Sequence, residues 1–141
     1  LNAEEMKHNN QLTDYMIHDL NKDCHLPFYN GEFDTVICSV SVDYMTCPFE
    51  IFEDVARILK PNGYFIVTFS NRLFSPKAVK IWTELHEFER VGLILEYFLK
   101  SGKYEHLETF SMRGLTRPKD DKYYPQILVS DPVYAVWGSK A

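Results

Sequence analysis

The residues of this chain that could do chemistry stand where apolar runs end. His18-Asp19 follows Tyr15-Met16-Ile17, Asp43-Tyr44 follows Phe33 to Val42, and Asn71-Arg72 follows Tyr64 to Phe69. An aspartate in the place of Asp19 either caps a turn through local hydrogen bonds or offers an acceptor to a ligand, and the residues alone leave both readings open. Asp43-Tyr44 reads first as a surface pair. Arg72 either binds an anionic group or pairs with a helix carboxylate, the pairing being the commoner fate of such a residue. No nucleophile–base pattern stands out, and His18 and Tyr44 are the nearest candidates for a base. The five histidines include no His-x-x-x-His pair, and Cys24, Cys38 and Cys47 are spaced as no zinc site is, so no metal is expected. Cys38 falls inside an apolar run as a small core residue, and the odd cysteine count points to a reducing compartment.

Bulk properties narrow the field further. Net charge is −5, from 15 basic and 20 acidic residues. A nucleic-acid binder shows a basic excess or stripe, whereas the densest basic stretch here, Arg113 to Lys122, is broken by Asp120 and Asp121 and reads as a solvated loop. No nucleic-acid partner is expected. Neither a membrane-length apolar run nor a signal-peptide pattern is present. The expectation is an intracellular protein, cytoplasmic or organellar, with no membrane partner.

Elements must carry these residues to one place. Residues 3–10 read as the end of a helix, and Asp14 to Asp19 as a short strand. Asn21 to Gly31 is a loop with Pro27 and an Asn-Gly turn. Phe33 to Val42 is nearly continuous β-branched and apolar sequence, which predicts a central parallel strand buried on both faces. Pro48 opens a helix whose apolar residues recur at helical spacing to Leu59, and Pro61 and Gly63 stop it. Tyr64 to Phe69 is a second buried strand. Ser75-Pro76 opens a long helix to about Lys100, ended near Gly102. His106 to Met112 and Val133 to Gly138 read as two strands with no helix between them, hence an antiparallel hairpin at the sheet edge. The aromatic residues between Trp82 and Phe110 read as core before they read as a ligand pocket. The alternation of strands and helices is the α/β pattern.

Five motifs, in order and spacing, carry a resemblance: His18-Asp19-Leu20, Leu26-Pro27-Phe28, Phe33-Asp34-Thr35-Val36, Ser39 to Tyr44, and Leu59-Lys60-Pro61-Asn62-Gly63. Over residues 1–141 the chain resembles the class I methyltransferases that use S-adenosylmethionine, within them the type 11 or ubiquinone- and menaquinone-biosynthesis-like group. The resemblance implies an α/β fold, an incomplete Rossmann-like sheet made of the family's strands 3 to 7 with the last strand antiparallel and helices flanking it. It implies S-adenosylmethionine as cofactor and a small molecule as methyl acceptor. Asp19 matches the acidic residue that accepts from the adenine amino group, and Leu20 the neighbour whose amide meets the ring. Ser39 and Val40 match the backbone beside the methionine part of the cofactor, Asp34 a structural position, and Tyr44 a position facing the acceptor. Arg72, at the same sheet edge, is a second acceptor-side candidate. Open α/β sheets bind ligands outside the carboxyl ends of their strands, which fits these positions.

The chain departs from the family in one large respect. None of its six glycines forms Gly-x-Gly, and the family's Gly-rich first loop and ribose-binding acidic residue have no counterpart. Together with a start at Leu1 rather than methionine, this leads to the expectation of a single, N-terminally truncated domain over 1–141, itself with little or no turnover. A strand deprived of its neighbour exposes an edge, so self-association or a homodimer is expected. Three readings follow in order: a methyltransferase in the full-length parent, a non-catalytic module that pairs with itself or a partner, and a different nucleotide-binding α/β enzyme.

Overall fold

Leu59–Phe69 (β2) is the strand around which the others assemble. Leu59, Gly63, Phe65, Val67 and Phe69 turn inward from it, the last four at the two-residue period of a strand. In the computed structural model, which describes residues 3–141, β2 pairs parallel with Phe33–Ser39 (β1) and antiparallel with Val133–Lys140 (β4), and β4 pairs antiparallel with Tyr104–Met112 (β3). The sheet order is β1-β2-β4-β3. The last strand therefore inserts antiparallel inside the sheet, and the expected hairpin is borne out. Ala3–His8 (α1) leads the chain, Pro48–Ile58 (α2) joins β1 to β2, and Lys80–Glu84 (α3) and Glu87–Ser101 (α4) join β2 to β3.

The core lies between the sheet and the pair α2 and α4. Phe52 of α2 meets Phe65 of β2 and Phe98 of α4, each at 4.9 Å between ring centroids, and Phe65 meets Phe98 at 5.4 Å. Such edge-on ring contacts add to the area they bury. Gly63 has a steric reason to be glycine: a Cβ there would lie 2.9 Å from both the Asp34 and Lys60 carbonyl oxygens. That close approach lets β1 pair with β2 directly after the α2 turn.

Three sequence expectations are corrected. Residues 14–19 form no strand; they run as irregular chain, with Tyr15, Met16 and Ile17 exposed. A strand needs a ladder partner for its backbone groups, and none lies alongside. Thus β1, not that segment, ends the sheet. β1 is parallel to β2 as expected, but it is an edge strand ending at Ser39, and Ile37 on its outer face is 64% exposed. The long helix expected from Ser75 is two helices, separated where Leu85 and His86 are extended (ψ 143° and 163°). The break is stabilised twice: His86 N–H donates to Glu89 Oε2 (2.7 Å) in a capping box, and Arg90 Nε donates to the Trp82 carbonyl (3.1 Å). Gly102, at φ 62°, closes α4 as expected.

The loop that holds Leu26-Pro27-Phe28 is fixed to α2 through the Asp54–Arg57 pair, with His25 Nδ1 also 3.0 Å from Asp54. Arg57 Nε and Nη2 donate to the two carboxylate oxygens of Asp54 (2.7 and 2.9 Å). The same guanidinium donates to the carbonyls of Leu26 and Phe28, both at 2.8 Å, and the Leu26 N–H donates to Asp54 (2.7 Å). Burial opposes the charge on Asp54, but the Arg57 and Leu26 hydrogen bonds outweigh it and hold its carboxyl below the usual 3.8. A carboxylate depressed in the folded state adds stability above its unfolded value, and that stability is lost as pH falls through the folded value. Arg57→Met, which leaves Asp54 without its partner, should lower unfolding stability by roughly 3 kcal/mol. Asp54→Asn should also destabilise at neutral pH while flattening the loss of stability below about pH 4. Thermal unfolding across pH 2 to 7 checks both (range chosen around the ordinary carboxylate values), and an unchanged acid limb in Asp54→Asn would show that the pair is not what titrates.

Candidate functional site

The carboxyl end of β1 and the loop of residues 18–26 enclose a cleft of about 520 Å3. Leu20, Leu26, Val36 and Met45 give it apolar walls, and His18, Asp19, Asn21, Ser39, Ser41 and Tyr44 supply polar groups. Of the six residues singled out from sequence, Asp19, Leu20, Ser39 and Tyr44 line this cleft. Val40 and Arg72, again with Tyr44, border a smaller cavity next to it. All six therefore sit at one end of the sheet.

Asp19 caps a turn and keeps one carboxylate oxygen without a close partner. Its Oδ1 accepts from the Asn21 N–H (3.1 Å), and its carbonyl accepts from the amides of Lys22 and Asp23, both at 3.0 Å, so it organises a turn. Its Oδ2 has only the distant Lys22 ammonium at 4.0 Å, and the side chain is about half exposed. One acceptor oxygen thus remains available to the cleft. Ser39 accepts through Oγ from the Thr68 hydroxyl (3.2 Å) and through its carbonyl from the Ser41 hydroxyl (3.2 Å). Val40 has φ 44°, a left-handed conformation unusual for a β-branched residue, and its amide is held by the Thr68 carbonyl at 2.9 Å. Backbone held in this way at a strand end gathers at functional sites.

The other sequence candidates fare differently. His18 Nε2 is 2.9 Å from the Asp23 carbonyl and so is engaged in the loop. Burial, and after it the Asp43 charge, pushes the Tyr44 phenol up, which keeps it protonated and so unable to act as a base at neutral pH. Arg72 pairs with Asp131 at 2.7 Å and lies 4.6 Å over the Tyr123 ring, so its partner is a loop carboxylate and not a helical one. Asp34, read as structural, pairs with Lys60 at 2.9 Å. Trp82 and Phe98 are core, whereas Phe88 is exposed on α4. Among the described residues no cluster of His, Cys, Asp and Glu could hold a metal ion, and no helix is long and apolar enough to cross a membrane.

Two positioning features were not anticipated. Asn21 ties the loop to the turn after β1: its Nδ2 donates to the Tyr44 carbonyl (2.8 Å), and its Oδ1 accepts from the Thr46 N–H (3.0 Å) and hydroxyl (3.1 Å). Cys24 and Cys47 form a disulfide between the same loop and the N-cap of α2, leaving Cys38 free. The reading of the cysteines, which pointed to a reducing setting, did not foresee a bond. The spacing of 23 residues carries no signal for it; only the fold brings the two sulfurs together.

Comparison with known proteins agrees with this geometry. A family model described as a methyltransferase domain matches residues 2–67. A malonyl-[acyl-carrier protein] O-methyltransferase from a Marinomonas strain is 27% identical over 66 residues, which are 47% of this chain and 24% of that protein. The chain thus spans about a quarter of that relative's length. An S-adenosylmethionine-dependent methyltransferase from Archaeoglobus fulgidus superposes with a TM-score of 0.59 at 15% identity, covering 99% of this chain and 73% of that one. A structure of the Haloferax volcanii Trm112 methyltransferase activator with a methyltransferase matches with a TM-score of 0.57 at 18% identity, covering 89% of this chain and 60% of that one.

The disulfide is open to direct chemistry. Denatured without reductant, the chain should take up one alkyl group, on Cys38, and after reduction three. Reduction should also lower stability by about 3 kcal/mol, the loop-closure value for a ring of this size. Three groups without reductant would show that the pair is not bonded in the isolated protein.

Proposed function

We propose that the protein of which these residues form all or part transfers a methyl group from S-adenosylmethionine to a small-molecule acceptor, a reading supported by the methyltransferase-domain model over residues 2–67 and by the fold shared with S-adenosylmethionine-dependent methyltransferases. The observation that carries this reading is the convergence of Asp19, Leu20, Ser39 and Tyr44 on one cleft at the carboxyl end of a parallel strand. The residues present fit the cofactor's adenosine end. Leu20, Leu26 and Met45 offer apolar walls, and the half-exposed Asp19 carboxylate in the same lining is the kind of acceptor an exocyclic amine needs.

Bound there, S-adenosylmethionine supplies a sulfonium-activated methyl group. The chain's own residues align partners. With the cofactor bound, Asp19 and the Leu20 amide would orient the purine, and the Ser39–Val40 backbone would border the amino-acid end. Tyr44 closes the acceptor side. Alignment of this kind accounts for much of a transfer rate, so no nucleophilic triad is required. The Marinomonas relative is named as an O-methyltransferase of malonyl-[acyl-carrier protein]; its 27% identity does not carry that acceptor to this chain.

A second reading has one observation in its favour. The outer edge of β1 has no ladder partner among the described residues, which suits a module that pairs with a second copy or another protein. The Haloferax neighbour was solved in complex with an activator protein, which lends this reading support.

Calorimetric titration with S-adenosylhomocysteine, alongside sedimentation of the same sample, separates the two. The methyltransferase reading expects saturable binding that Asp19→Ala weakens about tenfold, the loss of one charge-assisted hydrogen bond. A stable dimer that takes up no ligand at millimolar concentration would turn the assignment to the pairing module.

A further inference from the structure

Behind Tyr44 lies the smaller cavity, of about 260 Å3. It opens where β1 and β2 end, between Val40 and Phe69. Tyr44, Phe69, Phe74 and Trp82 bring four rings to its wall. Tyr44 also lines the larger cleft, so the two spaces share it as a partition.

The charges around this cavity do not cancel evenly. Arg72 pairs with Asp131 at 2.7 Å, and Arg117, which also pairs with Asp121, shares the Asp131 carboxylate at 3.2 Å, so these four charges balance. Asp43, in the turn Val42–Tyr44, is 6% exposed and forms no ion pair within 4 Å among the described residues. Arg90 is the cation whose field reaches it, but that guanidinium donates to the carbonyls of Trp82 (3.1 Å) and Asn71 (3.4 Å) and lies 5.3 Å over the Trp82 ring. Burial pushes the Asp43 carboxyl up, with its own amide and Arg90 opposing only in part. Trp82, 1% exposed, keeps an indole N–H with no partner among the described residues. Phe74 is 70% exposed and has no packing reason to be aromatic.

A carboxylate withdrawn from water among aromatic faces suits one ligand chemistry. An ammonium group gains from the carboxylate and from the ring quadrupoles together. An anion meets the Asp43 charge, and a neutral apolar group leaves that charge unpaired. We propose that this cavity takes the ammonium group of an amine acceptor, held by Asp43 among the rings of Tyr44, Phe74 and Trp82, and that its nitrogen is the atom methylated. The inference rests on the larger cleft being the methyl-donor site. In the step, the ammonium gives one proton to the Asp43 carboxylate. The freed lone pair forms the nitrogen–carbon bond as the donor's sulfur–carbon bond breaks and sulfur keeps that electron pair. The positive charge of the sulfonium ends on the methylated ammonium.

Binding can be read without turnover. The 141-residue chain is titrated with phenethylamine, 2-phenylethanol and phenylacetate, followed by calorimetry and tryptophan emission. Phenethylamine should bind at least ~10-fold tighter than either analogue, a difference of about 1.4 kcal/mol. The isosteric Asp43→Asn should remove that preference. Phe74→Ala, at an exposed position, should weaken phenethylamine several-fold; circular dichroism checks the fold of both variants. Equal binding of the three probes, tightest binding of phenylacetate, no phenethylamine binding at millimolar concentration, or an undiminished preference in Asp43→Asn would each overturn the proposal. S-adenosylhomocysteine is titrated in parallel. Its uptake without an amine preference sinks the amine site alone, whereas an amine preference without its uptake leaves the ammonium pocket standing and removes the donor site.

Discussion

The Arg57–Asp54 pair is the contact from which the shape of the cleft follows. Residues 25–30 have no regular structure, so their carbonyls must find donors elsewhere or remain unpaired near the core. Arg57 supplies them from a single guanidinium, which meets Asp54 with two nitrogens and the Leu26 and Phe28 carbonyls with the same planar fork. A lysine, a point charge with no fixed fork, could not serve all four acceptors at once. Leu26 is thereby placed as a wall of the cleft. The placement is as rigid as α2, and α2 is as rigid as the Phe52, Phe65 and Phe98 cluster under it. A chain of contacts thus runs from the core through one helix to one loop.

The opposite wall depends on the sheet. Thr68 of β2 holds both the Val40 amide and the Ser39 hydroxyl, so the end of β1 follows β2. β2 is in turn fixed on its other side by β4, whose Lys140 donates to the Leu59 carbonyl at 2.7 Å. Asn21 and the Cys24–Cys47 bond then tie the two walls together. The loop is short of apolar burial and would otherwise be among the first segments to open.

What the sequence made legible follows the strength of its periodic signals. α2 could be read because Pro48 marks its start and Phe52, Val55 and Leu59 recur on one face. The β3–β4 hairpin could be read because two apolar runs stand without a helix between them. The segment 14–19 was misread because Tyr15, Met16 and Ile17 are strand-like in composition, while strand formation depends on a neighbour that composition does not encode. The break at Leu85 was hidden because apolar residues continue across it at helical spacing; only the capping box of His86 and Glu89 marks it, and histidine is a weak N-cap signal. At the site, Asp19 and Tyr44 were legible through motif order. Asn21 and the disulfide were not, since each acts across more than 20 residues of chain and neither residue type announces its partner.

The sharing of Tyr44 between two cavities sets a constraint on whatever chemistry occurs there. On the proposed reading a methyl group would pass from one space to the other in line, and a residue common to both walls fixes their separation better than two independent walls could. Tyr44 sits in a turn whose geometry is set from three sides: the Ser41 carbonyl takes its amide, Asn21 takes its carbonyl, and the Asp43 carbonyl beside it accepts the amide of Val79. The last contact reaches from the residue before α3, so the helix that carries Trp82 is registered against the same turn. A shift of that turn would therefore move the wall of the larger cleft and the aromatic wall of the smaller cavity together, which is what the proposed two-ligand site would require.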